Sequence, residues 1–201
     1  MLTLVIQAGG ESRRMGQDKA LMPFLGKPLI QRVLERLSHL ADEVVITTNN
    51  PEPYRFLVAR LAADLLPGRG ALGGLYTALS VASHPLVAVI ACDMPFANPS
   101  LLAALRDRVI TTHCDAAIPR SQSGLEPFHA VYRKETCLHL VQAALQANQW
   151  RVDSWFEGAA MAYLSPDEVR LYDPHGLAFL NVNTPEDLMQ AEERARELDQ
   201  P

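Results

Sequence analysis

Residues 2–19 read LTLVIQAGGESRRMGQDK. Leu2–Gln7 is a nearly continuous apolar run rather than an alternating one, which predicts a buried strand of a parallel sheet. Gly9 and Gly10 follow, and without a Cβ their backbone can approach a ligand and turn N–H groups toward it. Arg13, Arg14 and Lys19 then place three cations on one short loop. A strand, a glycine turn and a cationic loop at a sheet edge suit a phosphate chain. The stretch is not a Walker P-loop, because Ala20 follows Lys19, and it is not a G-x-G-x-x-G turn. A solvated basic turn after an edge strand is the plainer alternative.

Working outward, Pro28 stands where the first turn of a helix accepts proline. Leu29, Ile30, Val33, Leu34, Leu37 and Leu40 recur at helical spacing, so residues 28–40 are expected to form an amphipathic helix. Residues 43–48 are β-branched and predict a second strand. The result is a βαβ unit with a phosphate-type loop at the carboxyl end of its first strand, where open α/β sheets bind ligands. Further helices are expected over 54–61, 72–83, 99–109, 135–147 and 151–156, and glycine-rich 67–74 as a second loop. Strands are expected over 62–66, 86–91, 115–119, 127–132, 161–165 and 177–182. Thr184-Pro185-Glu186-Asp187 opens a last helix with a capping pattern. The architecture this predicts is an α/β three-layer, Rossmann-like sandwich in one domain, 1–201. Its sheet is mainly parallel, with at least one antiparallel strand from the 115–132 hairpin.

Composition narrows the function. The net charge is −5 over 201 residues, with 48% hydrophobic residues. That balance argues against a nucleic-acid coat or a membrane-surface protein and for a small anionic ligand held in a local basic pocket. Cys92, Cys114 and Cys137 form no C-x-x-C pair, so neither a zinc site nor a disulfide framework is indicated. No apolar run approaches the roughly 20 residues of a membrane span. The cytoplasm is the expected compartment. The six histidines show no metal-binding spacing and read as surface or core residues, with His129 a candidate for the acceptor side.

Asp93 follows the strand 86–91, at the same sheet edge as the first loop. A carboxylate there is a natural Mg2+ ligand, since magnesium takes hard oxygen and keeps several waters; a cap for the turn before Pro95 is the other reading. Asn181 and Asn183 flank Val182 at the end of the strand expected over 177–182, so alternation would put both amides on one face. Asn49 ends the second strand, within reach of a nucleotide.

Together these stretches resemble a known family. Ala-Gly-Gly-x-Ser-x-Arg-Met-Gly-x-Asp-Lys over 8–19 looks like the signature loop of molybdenum cofactor guanylyltransferases. The likeness continues through GKPL (26–29), GALGGL (70–75), CDMP (92–95), EPFHAVY (126–132) and NVNTPEDL (181–188). It implies a nucleotide-diphospho-sugar transferase-like fold and GMP transfer from GTP to the molybdenum–molybdopterin cofactor. Pyrophosphate would leave as molybdopterin guanine dinucleotide forms. It further implies nucleotide contacts by Gln7, Ala8, Gly9, Gly10, Lys19, Asn49, Asp64 and Asp93. Arg14 and Lys19 would lie on the triphosphate, Mg2+ on Asp93, and Asn181 and Asn183 on the acceptor side. Other proteins of cofactor biosynthesis or molybdoenzyme chaperones are implied as further partners. Gln7 departs from the pattern, since the family usually has an apolar residue there and uses its main chain. The alternatives are a cytidylyl- or sugar-1-phosphate nucleotidyltransferase of the same fold, and a GTP-binding delivery module without turnover.

Overall fold

The computed structural model describes residues 1–8 and 18–198. The expectations placed on Gly9, Gly10, Arg13 and Arg14 lie outside the described residues. The chain lays down β1 (Leu2–Gln7), a small hairpin of β2 (Pro23–Phe24) and β3 (Lys27–Pro28), α1 (Leu29–Leu37), β4 (Glu43–Thr47) and β5 (Arg60–Ala62). There follow α2 (Gly70–Val81), β6 (Leu86–Ala91), α3 (Pro99–Thr112), β7 (Ala116–Ser121), β8 (Gly124–Leu125) and β9 (His129–Arg133). The order closes with α4 (Lys134–Gln146), β10 (Met161–Leu164), α5 (Pro166–Arg170) and α6 (Pro185–Leu198).

The main sheet runs β10-β7-β9-β6-β1-β4-β5, with β8 paired to β7. β1 is central and pairs in parallel with β4 and β6. β9 is antiparallel to both its neighbours, while β10 is parallel to β7. β8, too, runs antiparallel to β7, and these reversals follow from the short return between β7 and β9, which leaves no room for a crossover helix. β1 shows why its apolar run does not alternate. Leu2, Leu4 and Ile6 join the core that includes Ile30 and Val33 of α1 and Leu102 and Leu105 of α3, whereas Val5 joins the core of α2 and α4. Both faces of the strand are dry.

Four expectations are corrected. Residues 54–61 are not a helix: a short 3-10 turn, Glu52–Tyr54, is followed by bends and then by β5, which pairs with β4. Pro51 and Pro53 interrupt the helical ladder, and buried Tyr54 and Leu57 anchor the segment without one. The strand expected over 62–66 is accordingly Arg60–Ala62. The glycine loop 67–74 is shorter than expected, because α2 begins at Gly70 and the later glycines form its first turns. Over 151–156 there are turns and a 3-10 element, Phe156–Gly158, in place of a helix.

Residues 177–182 form no strand. Leu177 and Val182 pack instead in a small cluster with Phe24, Phe96 and α6 residues Ala191 and Ala195. The segment keeps one bond to the sheet region, Val182 N–H to the Asp93 carbonyl at 2.9 Å. α5 was not foreseen, although Ser165 and Glu168 form a reciprocal capping box at its start.

Candidate active site

The strand order makes the site. From β1 the chain moves through α1 to β4 and on to β5 on one side, then returns through α2 to β6 on the other. The crevice at the carboxyl ends of β1 and β6 is therefore a topological switch point, where open α/β sheets take ligands. A cavity of about 620 Å³ lies there, walled by Gln7, Ala8, Asp18, Lys19, Asp64 and Asp93. Gly70, Ala71 and Gly74 of α2 form one further wall and Phe128 another. The first turn of α2 has no side-chain cap at Arg69, which leaves its N–H groups available to a ligand.

Lys19 is the centre of the charged end. Its Nζ donates to Asp93 Oδ2 at 2.6 Å and to Asn183 Oδ1 at 2.7 Å. Residues 74 and 164 positions away in sequence thus meet on one ammonium. Asp18 sets the direction of Lys19: one carboxylate oxygen accepts from Ala20 N–H at 3.2 Å, the other from the Tyr54 hydroxyl at 2.6 Å. Tyr54 is buried, and burial followed by the Asp18 carboxylate pushes its phenol far above the usual range, so it remains a donor. Asp93 is fixed from behind by α1, whose Arg32 and Arg36 donate to the carbonyls of Pro95 and Ala97. Arg32 also lies 4.8 Å over the Phe24 ring.

The other expected residues fall into two groups. Asp64 reaches the cavity, and its Oδ1 accepts from Thr77 Oγ1 at 2.6 Å and from Leu66 N–H at 3.1 Å. Asn49 is exposed and outside the cavity wall; its Oδ1 accepts from Asp64 N–H at 3.1 Å, so it braces Asp64. Asn183 meets Lys19, but Asn181 folds back toward the Phe179 carbonyl at 3.3 Å. The expectation that strand alternation aligns these two amides fails with the strand itself. His129 does not line the site. It is fully buried, accepts from Asn98 N–H on Nε2 at 3.0 Å, and packs edge-to-face on Phe179. Burial holds its imidazole down at about 4, with its own backbone and Asp173 opposing. Asp18 and Phe128 are cavity residues that the sequence reading missed; of these, Asp18 was legible as the acid next to Lys19.

A metal could use Asp93. Its Oδ1 is buried and has no hydrogen-bond partner among the described residues, leaving one carboxylate oxygen unspent beside the cavity. Among the described residues no group of three His, Cys, Asp or Glu side chains could cage an ion. That donor set fits magnesium, which usually takes one or two carboxylates and fills its shell with substrate phosphate and water.

A second cavity of about 470 Å³ adjoins the first. It is walled by the β7–β8 tip with Arg120 and Glu126, by Arg170 of α5, and by His175, Phe179 and Leu180. The two linings have no residue in common but are close along the chain: Glu126 lines the second and Phe128 the first, while Phe179 and Leu180 line the second and Asn183, three residues on, reaches Lys19 in the first. Burial raises the Glu126 carboxyl above its usual range, with Ser121 opposing.

Residues 4–160 match the family model described as the MobA-like NTP transferase domain. The chain belongs to this family. It is a nucleotidyltransferase with the nucleotide-diphospho-sugar transferase fold. It is 33% identical over 192 residues to the molybdenum cofactor guanylyltransferase of Desulfosudis oleivorans, covering 95% of this chain and 94% of that one. Its structure is similar to molybdopterin-guanine dinucleotide biosynthesis protein A from Archaeoglobus fulgidus. The TM-score is 0.83 at 28% identity, over 97% and 99% of the two chains. The fold is shared more widely, with 2-C-methyl-D-erythritol 4-phosphate cytidylyltransferase from Thermus thermophilus at TM-score 0.71 and 20% identity over 96% and 98%. Among the described residues no helix is long and apolar enough to cross a membrane.

Proposed function

We propose that this MobA-like NTP transferase moves GMP from GTP to the terminal phosphate of molybdopterin carrying molybdenum. The products are pyrophosphate and molybdopterin guanine dinucleotide. The observation that carries the reading is the Lys19–Asp93–Asn183 contact at the charged end of the larger cavity. One cavity suits a nucleotide, with glycine-rich backbone at one end and cation and carboxylate at the other. The second, with Arg120 and Arg170, suits an acidic heterocyclic acceptor such as a pterin phosphate.

An oxygen of the acceptor phosphate attacks the α-phosphorus of GTP. The bond from that phosphorus to the bridging oxygen of the β-phosphate breaks, and pyrophosphate takes the electron pair. A phosphate monoester has its second pKa near ~6, so the nucleophile is largely dianionic at neutral pH and no general base is needed. The task is to suppress anion–anion repulsion and hold an in-line geometry. Lys19 turns its ammonium from Asp93 toward the triphosphate, and Asn183 guides it while offering its amide to the acceptor. Asp93 would hold Mg2+ through its unspent oxygen, and the bound ion would neutralise charge on the α- and β-phosphates.

The test mixes purified protein, Mg2+ and molybdenum-loaded molybdopterin with GTP or CTP and follows pyrophosphate and the mass of the pterin product. Guanine dinucleotide with GTP, and little product with CTP, is expected. Cytosine dinucleotide as the main product would replace this reading with the cytidylyl one.

A further inference from the structure

Gln7 ends β1 with a carboxamide. Strand alternation puts it on the same face as Val5, over α2. Gly74 of α2 lies directly against it: a Cβ there would stand 3.3 Å from Gln7 Oε1 and 3.4 Å from Nε2. The amide occupies the space that this glycine leaves. Gln7 Nε2 is buried and has no hydrogen-bond partner among the described residues, yet the residue lines the larger cavity. A shielded donor without an acceptor is costly to a fold, and an acceptor brought by a ligand relieves that cost.

The cavity is polarised. Lys19 and Asp93 hold its charged end, while Gln7, Gly70, Ala71 and Gly74 make an uncharged wall of backbone and one amide. Phosphates belong at the first and the base at the second. Guanine carries the O6 acceptor where cytosine carries the N4 amino donor. A donor fixed at that position pairs with guanine and opposes cytosine, and discrimination by a buried hydrogen-bonding group is larger than discrimination by shape.

We propose that the Gln7 side chain is a base-specificity element of the donor site, with Nε2 donating to guanine O6. The proposal rests on the GTP reading above and adds a side-chain contact to it. The amide sits where a glycine in α2 makes room, so Gly74 is part of the same device: Gly74→Ala would push the amide by a few tenths of an ångström into the space meant for the base.

The experiment is calorimetric titration of the whole protein with Mg2+ and GTP, CTP, 7-deaza-GTP or 2-aminopurine ribonucleoside triphosphate, which lacks O6. Wild type is compared with Gln7→Leu and Gln7→Glu. The ratio of affinity for GTP over the O6-less analogue should shrink about three- to tenfold in Gln7→Leu, the range of one neutral hydrogen bond. Gln7→Glu keeps an acceptor and loses the donor, so it should lose at least as much. An unchanged ratio in Gln7→Leu, or full GTP affinity in Gln7→Glu, overturns the proposal. A ratio that shrinks for 7-deaza-GTP instead overturns the O6 assignment. Equal wild-type affinity for GTP and CTP overturns the donor reading, and this proposal with it. Thermal unfolding of the unliganded proteins separates a structural role: removal of an unpaired donor should leave the midpoint of Gln7→Leu at or above wild type. A fall of several degrees would assign Gln7 to the fold and overturn the proposal.

Discussion

The two cavities are built from different materials. The larger lies at the carboxyl ends of parallel strands, and much of its wall is backbone: Ala8, Gly68, Gly70 and Gly74. The smaller lies beside the antiparallel strand β9 and is walled by side chains of a hairpin tip, a five-residue helix and the connection before α6. Backbone walls suit a ligand part common to many reactions, a nucleoside triphosphate. Side-chain walls suit the part that differs between acceptors. The proposed reacting centre, Lys19 with Asp93 and Asn183, draws one residue from each of three segments distant in sequence to the charged end of the larger cavity.

The largest expected effect tests that meeting point. Asp93→Asn keeps the shape of the side chain and removes its charge. Magnesium-dependent transfer should fall at least about a hundredfold, the scale of losing one electrostatic element at a reacting centre. GTP binding should change much less, because Lys19 and the α2 backbone donors remain. A wild-type rate and magnesium midpoint in this variant would reduce Asp93 to a turn residue. Lys19→Ala should weaken GTP binding and slow transfer about tenfold or more, by loss of charge-assisted bonds to phosphate.

A comparable effect on stability is expected at His129, which joins the two constructions from within the core. Its imidazole stands at about 4 against an ordinary 6.5 because burial disfavours the charged form. A lowered folded-state value means the fold binds fewer protons than the unfolded chain, so this contribution is complete above pH 6.5 and is lost as pH falls toward 4. The loss is on the order of 3 kcal/mol for a shift of this size. Urea unfolding at about pH 7.5, above that window, and at about pH 4.5, near its lower end, measures most of it. In His129→Gln, which does not titrate, the pH dependence over that window should be clearly shallower than in wild type.

How far the sequence foretold each construction follows from how local its causes are. β1, α1, β4 and β6 were legible because each carries its own apolar pattern, and strand ends place Gln7 and Asp93 at one edge without further knowledge. The Lys19–Asn183 contact was legible through the motif at 181–188, but the strand drawn to deliver it was not there. An apolar run at 177–182 looks the same whether it pairs in a sheet or packs, as it does, on Phe24, Phe96 and α6. The second cavity was unreadable because Arg120 and Arg170 meet only after the fold brings 120–126 to α5. The link from Asn49 to Asp64 was unreadable for a smaller reason: its amide accepts from the Asp64 backbone, a contact no periodicity encodes.

The second cavity can be tested separately from the first. Arg120→Gln and Arg170→Gln should each raise the KM for the pterin acceptor about three- to tenfold, the value of a partly exposed charged hydrogen bond. Calorimetric GTP affinity should stay at the wild-type value. A loss of GTP affinity with no change in acceptor KM would reverse the assignment of the two cavities.

The smallest expected effect concerns the pedestal beneath Lys19. Tyr54 is buried in the α1 face of the sheet, and its hydroxyl donates to Asp18 Oδ2 at 2.6 Å, while Asp18 Oδ1 holds Ala20 N–H. Tyr54→Phe removes one oxygen and leaves the ring packing intact. Asp18 then keeps its backbone bond and is free to turn toward the cavity, where water compensates part of the loss. Stability should fall by about 1 kcal/mol, the net worth of a hydrogen bond whose partner can be rehydrated. The chemistry should respond through Lys19, because the 3-10 turn Lys19–Leu21 starts on the Asp18 cap. GTP KM should rise about two- to fivefold while kcat changes little, as expected when the ground state and the transition state are weakened alike. Asp18→Asn is the complementary variant: its single carbonyl oxygen can take the place of only one of the two carboxylate oxygens that accept from Ala20 and Tyr54, so it should show a rise at least as large. Equal kinetics for wild type and Tyr54→Phe, with the expected stability loss present, would show that Lys19 is positioned by Asp93 and Asn183 alone.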